Sequence, residues 1–430
     1  MPGRRRLAEG DARRGAGDYA KLASVVLGYA VLGLVWWAAL QECWAVMAPR
    51  LWHVGPGGMR LVDWREGPLG DFSVFWPAGE LARARRAAVA YDPAAFLAFR
   101  KEIFSGGVGM ARWFYPPPAF LPVMAVATLP YELGYWIWLA AGNGLAVWLL
   151  RWGRLPWGVI AVGLLSPAAL WNAQVGQFGV WEAGLLVAAL LRLADAPGQA
   201  GLALGFLVMK PQLAVLAGVA MLARRDFCAL AVAVGVAVAL AAAVTGLAGW
   251  RVWPAYLGDG LAASRLVLET RPADGGIFEC FGTSVFWAVR ELGGGLGAAY
   301  GVQALAAAGA AAVVWHIWRV GWGGAVERMA VTVCLSLVVS PFGYTYDMVG
   351  YEVALAACAA KRGWRIDVLD ALLFVAPAVC PVICAHTGWL LTPLAGAVAA
   401  ARICWRGGLW RQDEFAAVGG VRDAGGGGEG

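Results

Sequence analysis

The sequence predicts an all-α polytopic membrane protein, on the strength of composition, segment length and loop charge. Of 430 residues 60% are hydrophobic and only 14% charged, with 24 tryptophans, far too little charge for a soluble domain of this length. Apolar runs suited to a bilayer recur along the chain. Most of the arginines fall between these runs in short loops and tails, where basic residues set topology. The net charge of +6 therefore reads as topogenic and implies no nucleic-acid partner.

A basic tail, 1–21, carries Arg4, Arg5, Arg6, Arg13 and Arg14, and precedes an apolar anchor from Leu22. That run is too long for a signal-peptide core and lacks a cleavage site. The charge rule places the N-terminus in the cytoplasm and residues 48–113 outside. In this first outer loop Phe72, Phe75, Trp76 and Gly79 share one helical face after Asp71. With Arg83, Arg85 and Arg86 following, the pattern is that of a helix lying in the membrane interface. The apolar run after Phe114-Tyr115-Pro116-Pro117-Pro118 is short for a span and reads as re-entrant or half-inserted.

Spans are expected at 133–150, 155–171, 178–193, 227–249, 296–318, 325–340, 347–360, 366–385 and 388–404. Segment 200–222 has Lys210-Pro211 at its centre and basic residues on both flanks. It reads as two half-helices meeting at Lys210, with a single span and a snorkelling lysine as the alternative. Residues 250–295 form a second large outer loop. One membrane domain, 22–405, carries both outer loops, and the cytoplasmic tail 406–430 ends in a glycine-rich stretch expected to be disordered.

Eight cysteines are scattered through the chain without metal-type spacing. Cys380 and Cys384, one helical turn apart, read as packing, and Cys280 stands alone in a polar loop, so no disulfide framework is expected. His53, His316 and His386 are isolated, and no Asp-x-Asp metal signature occurs in the first outer loop.

On this topology Asp71, the Gln174/Gln177 loop, Lys210 and Asp347 converge on one membrane face. Each has a plainer reading. An aspartate before an apolar helix is commonly an N-cap, which suits Asp71 and Asp347 alike, and Asn172 and Gln177 suit helix ends. Lys210 is the most pointed, because ionisable residues inside membrane segments are rare and usually functional.

The order Gly70-Asp71-Phe72, Tyr91-Asp92-Pro93, Phe114-Tyr115-Pro116-Pro117, Gly176-Gln177, Lys210-Pro211 and Ser340-Pro341 resembles glycosyltransferase family 87, from about residue 22 to 400. The resemblance implies a GT-C-type fold with roughly 10–13 membrane helices, some short or broken. It further implies inverting transfer of a hexose, mannose foremost, from a polyprenyl-phosphate donor to a lipid or glycan acceptor. The reaction would take place on the extracytoplasmic side of the cell (inner or plasma) membrane, with a first-loop aspartate in the active site. Two departures stand out. Tyr344, Tyr346 and Asp347 follow Ser340-Pro341, where mannosyltransferases of this family carry histidine, and Phe75-Trp76 replaces a more usual tyrosine pair. Both bear on the sugar, and the first leaves the base open between Asp71 and Asp347.

Such a reaction needs a carboxylate to take the acceptor proton and positive charge to hold the departing phosphate. Lys210, Arg265 and Arg271 are the candidate cations. Gln177, Tyr115 and Tyr346 complete the expected substrate-binding set, the aromatics stacking on sugar rings. No cofactor is expected beyond the lipid-linked polyprenyl-phosphate donor, and the sequence does not settle whether a metal takes part. The alternative is a transporter or flippase, which would favour internal repeats and paired broken helices. This chain shows no repeat and one broken segment.

Overall fold

The computed structural model describes residues 23–42, 45, 53–55, 58–60, 70–104, 108–109, 112–270 and 277–409. The tail 1–21, the tail beyond 409, Arg271 and most of 43–69 lie outside the described residues. One antiparallel hairpin, His53–Gly55 with Gly58–Arg60, departs from the expected all-helical composition; nearly everything else described is helix.

The region after the anchor α1 (Ala23–Glu42) contains α2 (Phe72–Arg83), α3 (Pro93–Ile103) and the short α4 (Phe120–Val126). Then come α5 (Tyr131–Trp152), α6 (Trp157–Leu164), α7 (Pro167–Val175), α8 (Gly179–Arg192), α9 (Pro197–Phe206), α10 (Val215–Arg224) and α11 (Phe227–Ala248). The segment expected as a second large loop is itself helical, with α12 (Val252–Ala255), α13 (Leu261–Glu269) and α14 (Val285–Glu291). The chain closes with α15 (Leu296–Arg319), α16 (Ala325–Val339), α17 (Val349–Lys361), α18 (Val368–Thr387) and α19 (Thr392–Arg406).

Among the described residues five helices, α1, α5, α11, α15 and α18, are long and apolar enough to cross a membrane, and α6 with α7 makes a sixth if that bent pair is one span. Other segments expected to span are shorter, with 14 residues in α8, 15 in α16, 13 in α17 and 15 in α19. Helices surrounded by protein can end short, because protein groups meet their terminal backbone atoms. The class is an all-α polytopic membrane protein.

Two breaks shape the bundle. The span expected at 155–171 is bent by 51° between α6 and α7. Ser166 Oγ there accepts from the Ala169 amide at 3.4 Å, and Pro167 starts α7 where its missing N–H costs nothing. Segment 200–222 breaks at Lys210, whose φ of −145° and ψ of 70° lie outside the helical region. The two-half-helix reading holds and the unbroken span does not.

The main core packs α8, α16 and α17 with the surrounding bundle. A second, aromatic core has α2 at its centre. The interfacial reading of α2 is corrected, because nine of its 12 residues are buried. Phe72 packs on Tyr131, Tyr135 and Trp138, and Phe75 on Trp113, Tyr115 and Phe178. Each such burial is worth about 1.5–3 kcal/mol. Gly79 lets α2 meet α4, since a Cβ there would lie 2.2 Å from the Val123 carbonyl oxygen. A third, smaller cluster holds Phe286, Trp287, Cys280 and Cys384. Its two cysteines form a disulfide with a Cα–Cα distance of 5.4 Å, so the packing reading of Cys384 and the solitary reading of Cys280 are both corrected. Their separation of 104 positions hides the pairing from any local spacing rule.

Candidate active site

A cavity of about 430 Å³ opens where the aromatic core meets the disulfide-tied cluster, and Asp71, Arg112, Tyr115, Gln177, Glu279 and Tyr346 are among its walls. Asp71 arrives by a rigid route. Its amide donates to the Val175 carbonyl at 2.8 Å, joining the start of α2 to the end of α7. Ser73 Oγ donates to the Gly70 carbonyl at 2.7 Å. Arg100, only 2% exposed, donates to the Ser73 carbonyl at 3.0 Å and to Ser73 Oγ at 2.9 Å.

With the backbone held in this way, the Asp71 carboxylate makes no capping hydrogen bond. Its Oδ2 accepts instead from Gln177 Nε2 at 2.6 Å. Gln177 is aimed by Gly176, which ends α7 at φ 71°, a left-handed conformation that favours glycine. The Gly176 carbonyl accepts from Trp138 Nε1 at 3.0 Å. The Tyr115 hydroxyl lies 3.0 Å from Gln177 Nε2 and 3.1 Å from Oε1. Burial pushes the Asp71 carboxyl above its ordinary 3.8, against the opposing pull of the Gln177 hydrogen bond and the Lys210 and Arg100 charges.

Lys210 and Asp347 also meet, but behind the cavity wall. Lys210 Nζ pairs with Asp347 Oδ1, lies 3.6 Å from Glu182 Oε2 and sits 5.0 Å from the centre of the Tyr346 ring. The other Asp347 oxygen accepts from the Tyr344 amide at 3.0 Å. A buried ammonium is tolerated only with such partners, and neither Lys210 nor Asp347 lines the cavity. Arg265 is exposed on α13 and is not a wall residue, while Arg271 lies outside the described residues.

Sequence reasoning passed over Arg112, Glu279 and Glu182. Glu182 carried a usable signal, being an acid within an apolar run, which is the same rule that singled out Lys210. Arg112 and Glu279 sit in polar stretches where nothing local distinguishes them.

Membrane-crossing helices with a half-buried carboxylate in a walled cavity suit a membrane enzyme or a transporter alike. The profile of glycosyltransferase family 87 matches residues 113–341, more than half of the chain, and the protein belongs to that family. It is therefore a membrane glycosyltransferase, and the transporter reading falls. The matched stretch contains Tyr115, Gln177 and Lys210 and leaves out Asp71 and Asp347. No curated protein and no solved structure gives a significant match.

Proposed function

We propose that the protein moves a hexose, mannose foremost, from a polyprenyl-phosphate donor to a hydroxyl of a lipid or glycan acceptor on the extracytoplasmic face, with inversion. One observation carries this reading: the Asp71 carboxylate has no capping duty and faces the cavity beside Gln177. Asp71 takes the proton of the acceptor hydroxyl as that oxygen bonds to the anomeric carbon. The bond from that carbon to the phosphate oxygen breaks on the opposite face, and its electron pair leaves with the phosphate. A single displacement of this kind inverts the anomeric centre.

Arg112, on the cavity wall, is the cation best placed for the departing phosphate. It takes that role in place of Lys210 and Arg265, which do not line the cavity, while Arg271 lies outside the described residues. Tyr115 and Tyr346 offer faces for sugar rings, and the Lys210–Asp347–Glu182 group braces the Tyr344–Tyr346 wall. The Cys280–Cys384 bridge supports an outward-facing cavity, since such bonds persist in oxidising compartments. In this reading residues 22–405 form one catalytic membrane domain. The test incubates purified protein with radiolabelled polyprenyl-phosphate sugars and membrane-lipid acceptors, and determines the anomeric configuration of the product. Transfer from nucleotide sugars alone, or a product of retained configuration, overturns the reading.

A further inference from the structure

At the other end of the bundle the structure holds an arginine-rich pocket that the transfer reaction does not use. Arg362, Arg402 and Arg406 line one side of a slot of about 300 Å³ between α1 and the helices α17, α18 and α19, and Arg365 lines the open rim beside it. Asp370 accepts from Arg402 at 2.9 Å, from Arg406 at 2.9 Å and from Arg362 at 3.1 Å, and Asp367 pairs with Arg402 and Arg406. Two aspartates against four arginines leave an excess of two positive charges. The Nε of Arg362 is buried without a hydrogen-bond partner among the described residues.

All four helices put their charged or polar residues at the same end. On α17, Leu355 lies deeper than Arg362; on α18, Phe374 lies deeper than Asp370; on α19, Ala399 lies deeper than Arg406; and on α1, Trp36 lies deeper than Ser24. The slot is thus basic at its mouth and apolar along its depth. Its α1 wall is fixed by the Tyr29 hydroxyl, which donates to the Trp364 carbonyl at 2.6 Å. Asp370 and the disulfide at Cys384 lie about 21 Å apart along α18, so this pocket and the sugar-transfer cavity occupy opposite ends of the bundle.

We infer that this pocket binds an anionic glycerophospholipid of the leaflet opposite the catalytic cavity. The lipid phosphate sits at Arg362 and Arg365, and one acyl chain lies in the slot between α1 and α18. Excess positive charge at a membrane surface selects anionic headgroups, and the apolar depth selects a lipid over a soluble anion. The bound lipid joins α1, whose membrane-crossing stretch is only 6% buried, to the rest of the bundle.

The experiment uses delipidated full-length protein in detergent, titrated separately with palmitoyl-oleoyl phosphatidylglycerol, with the phosphatidylcholine of the same chains, and with inorganic phosphate. Melting temperature and native mass spectrometry give the readouts. Phosphatidylglycerol is expected to bind saturably and raise the melting temperature, and the other two to do neither. Arg362→Gln combined with Arg365→Gln should weaken its binding about tenfold or more. Gly33→Leu blocks the slot sterically; a Cβ at Gly33 meets no atom within 4 Å, so this variant should melt like the parent in detergent yet lose the lipid response. Gly144→Leu, equally open on α5, should keep it. Equal responses to the two lipids, a full response to phosphate alone, or a lipid response that survives both the arginine and the Gly33 variants overturns the site.

Discussion

Gln177 Nε2 donates to Asp71 Oδ2 at 2.6 Å, joining residues 106 positions apart in the chain. Among the described residues, the hydrogen-bond donor on that carboxylate thus comes from outside its own helix. It thereby orients a half-buried acid toward the cavity in place of the amides of α2.

Asp71→Asn should lower transfer about 10²–10⁴-fold, the usual contribution of a positioned base. Because burial raises the folded-state pKa above 3.8, the ionised carboxylate costs stability at neutral pH. Asp71→Asn should therefore melt no lower than the parent at pH 7, and its advantage should fade as the pH falls below the raised value. Asp71→Ala should lack the roughly 1 kcal/mol cost of a lost cap, since no capping bond exists. Glu279→Gln, at the other carboxylate on the wall, is the control. Full activity in Asp71→Asn with loss in Glu279→Gln moves the base across the cavity.

Gln177→Leu removes a hydrogen bond that holds the Asp71 pKa down. The acid limb of the pH–rate profile should then move to higher pH, because the base must lose its proton to act. A profile that keeps its acid limb in place while the rate falls would show that Gln177 acts on substrate alone.

Lys210→Met leaves Asp347 and Glu182 facing each other without a counter-ion. Removing one partner of a buried pair costs about 3–5 kcal/mol, so this variant should insert poorly or melt far below the parent, while Lys210→Arg retains the charge. If the methionine variant folds normally and only donor affinity falls, Lys210 touches the lipid phosphate after all.

Cys280→Ser releases a bridge that closes 104 residues. On the chain-entropy account a loop of that size is worth up to about 4–5 kcal/mol, so the melting temperature should drop clearly. Transfer should fall too, since Glu279, next in sequence, is on the cavity wall. Non-reducing peptide mapping that finds free thiols at both positions in membrane-extracted protein would remove the bridge and this prediction together.

Sidedness is checked with thiol reagents that cannot cross the membrane, in a Cys43→Ser background. Cys228, exposed beside the Arg224–Arg225 turn, should resist labelling in intact cells, whereas Thr270→Cys at the end of α13 should react. The reverse pattern would invert the topology and put the cavity in the cytoplasm.

The sequence by itself determined the membrane class, the family resemblance and the break at Lys210. Hydropathy, loop charge and proline chemistry are local, and each acts within a few residues of its cause. The burial of α2 was not legible, because the aromatic partners of Phe72 and Phe75 come from α5 and from Phe178, and a face that wets lipid has the same periodicity as one that packs on protein. Asp71 as cap or as cavity acid was undecidable for the same reason: both readings place an aspartate before a helix, and only the position of Gln177 separates them. Lys210 shows the converse. An intramembrane lysine announces that something needs a charge, but whether its partner is a substrate phosphate or a carboxylate depends on which helices fold beside it. Here α8 and the turn before α17 supply Glu182 and Asp347. Pairings across more than a hundred residues, Cys280 with Cys384 among them, are decided by helix packing, and only the tertiary structure brings Arg112 and Asp71 to the walls of one cavity.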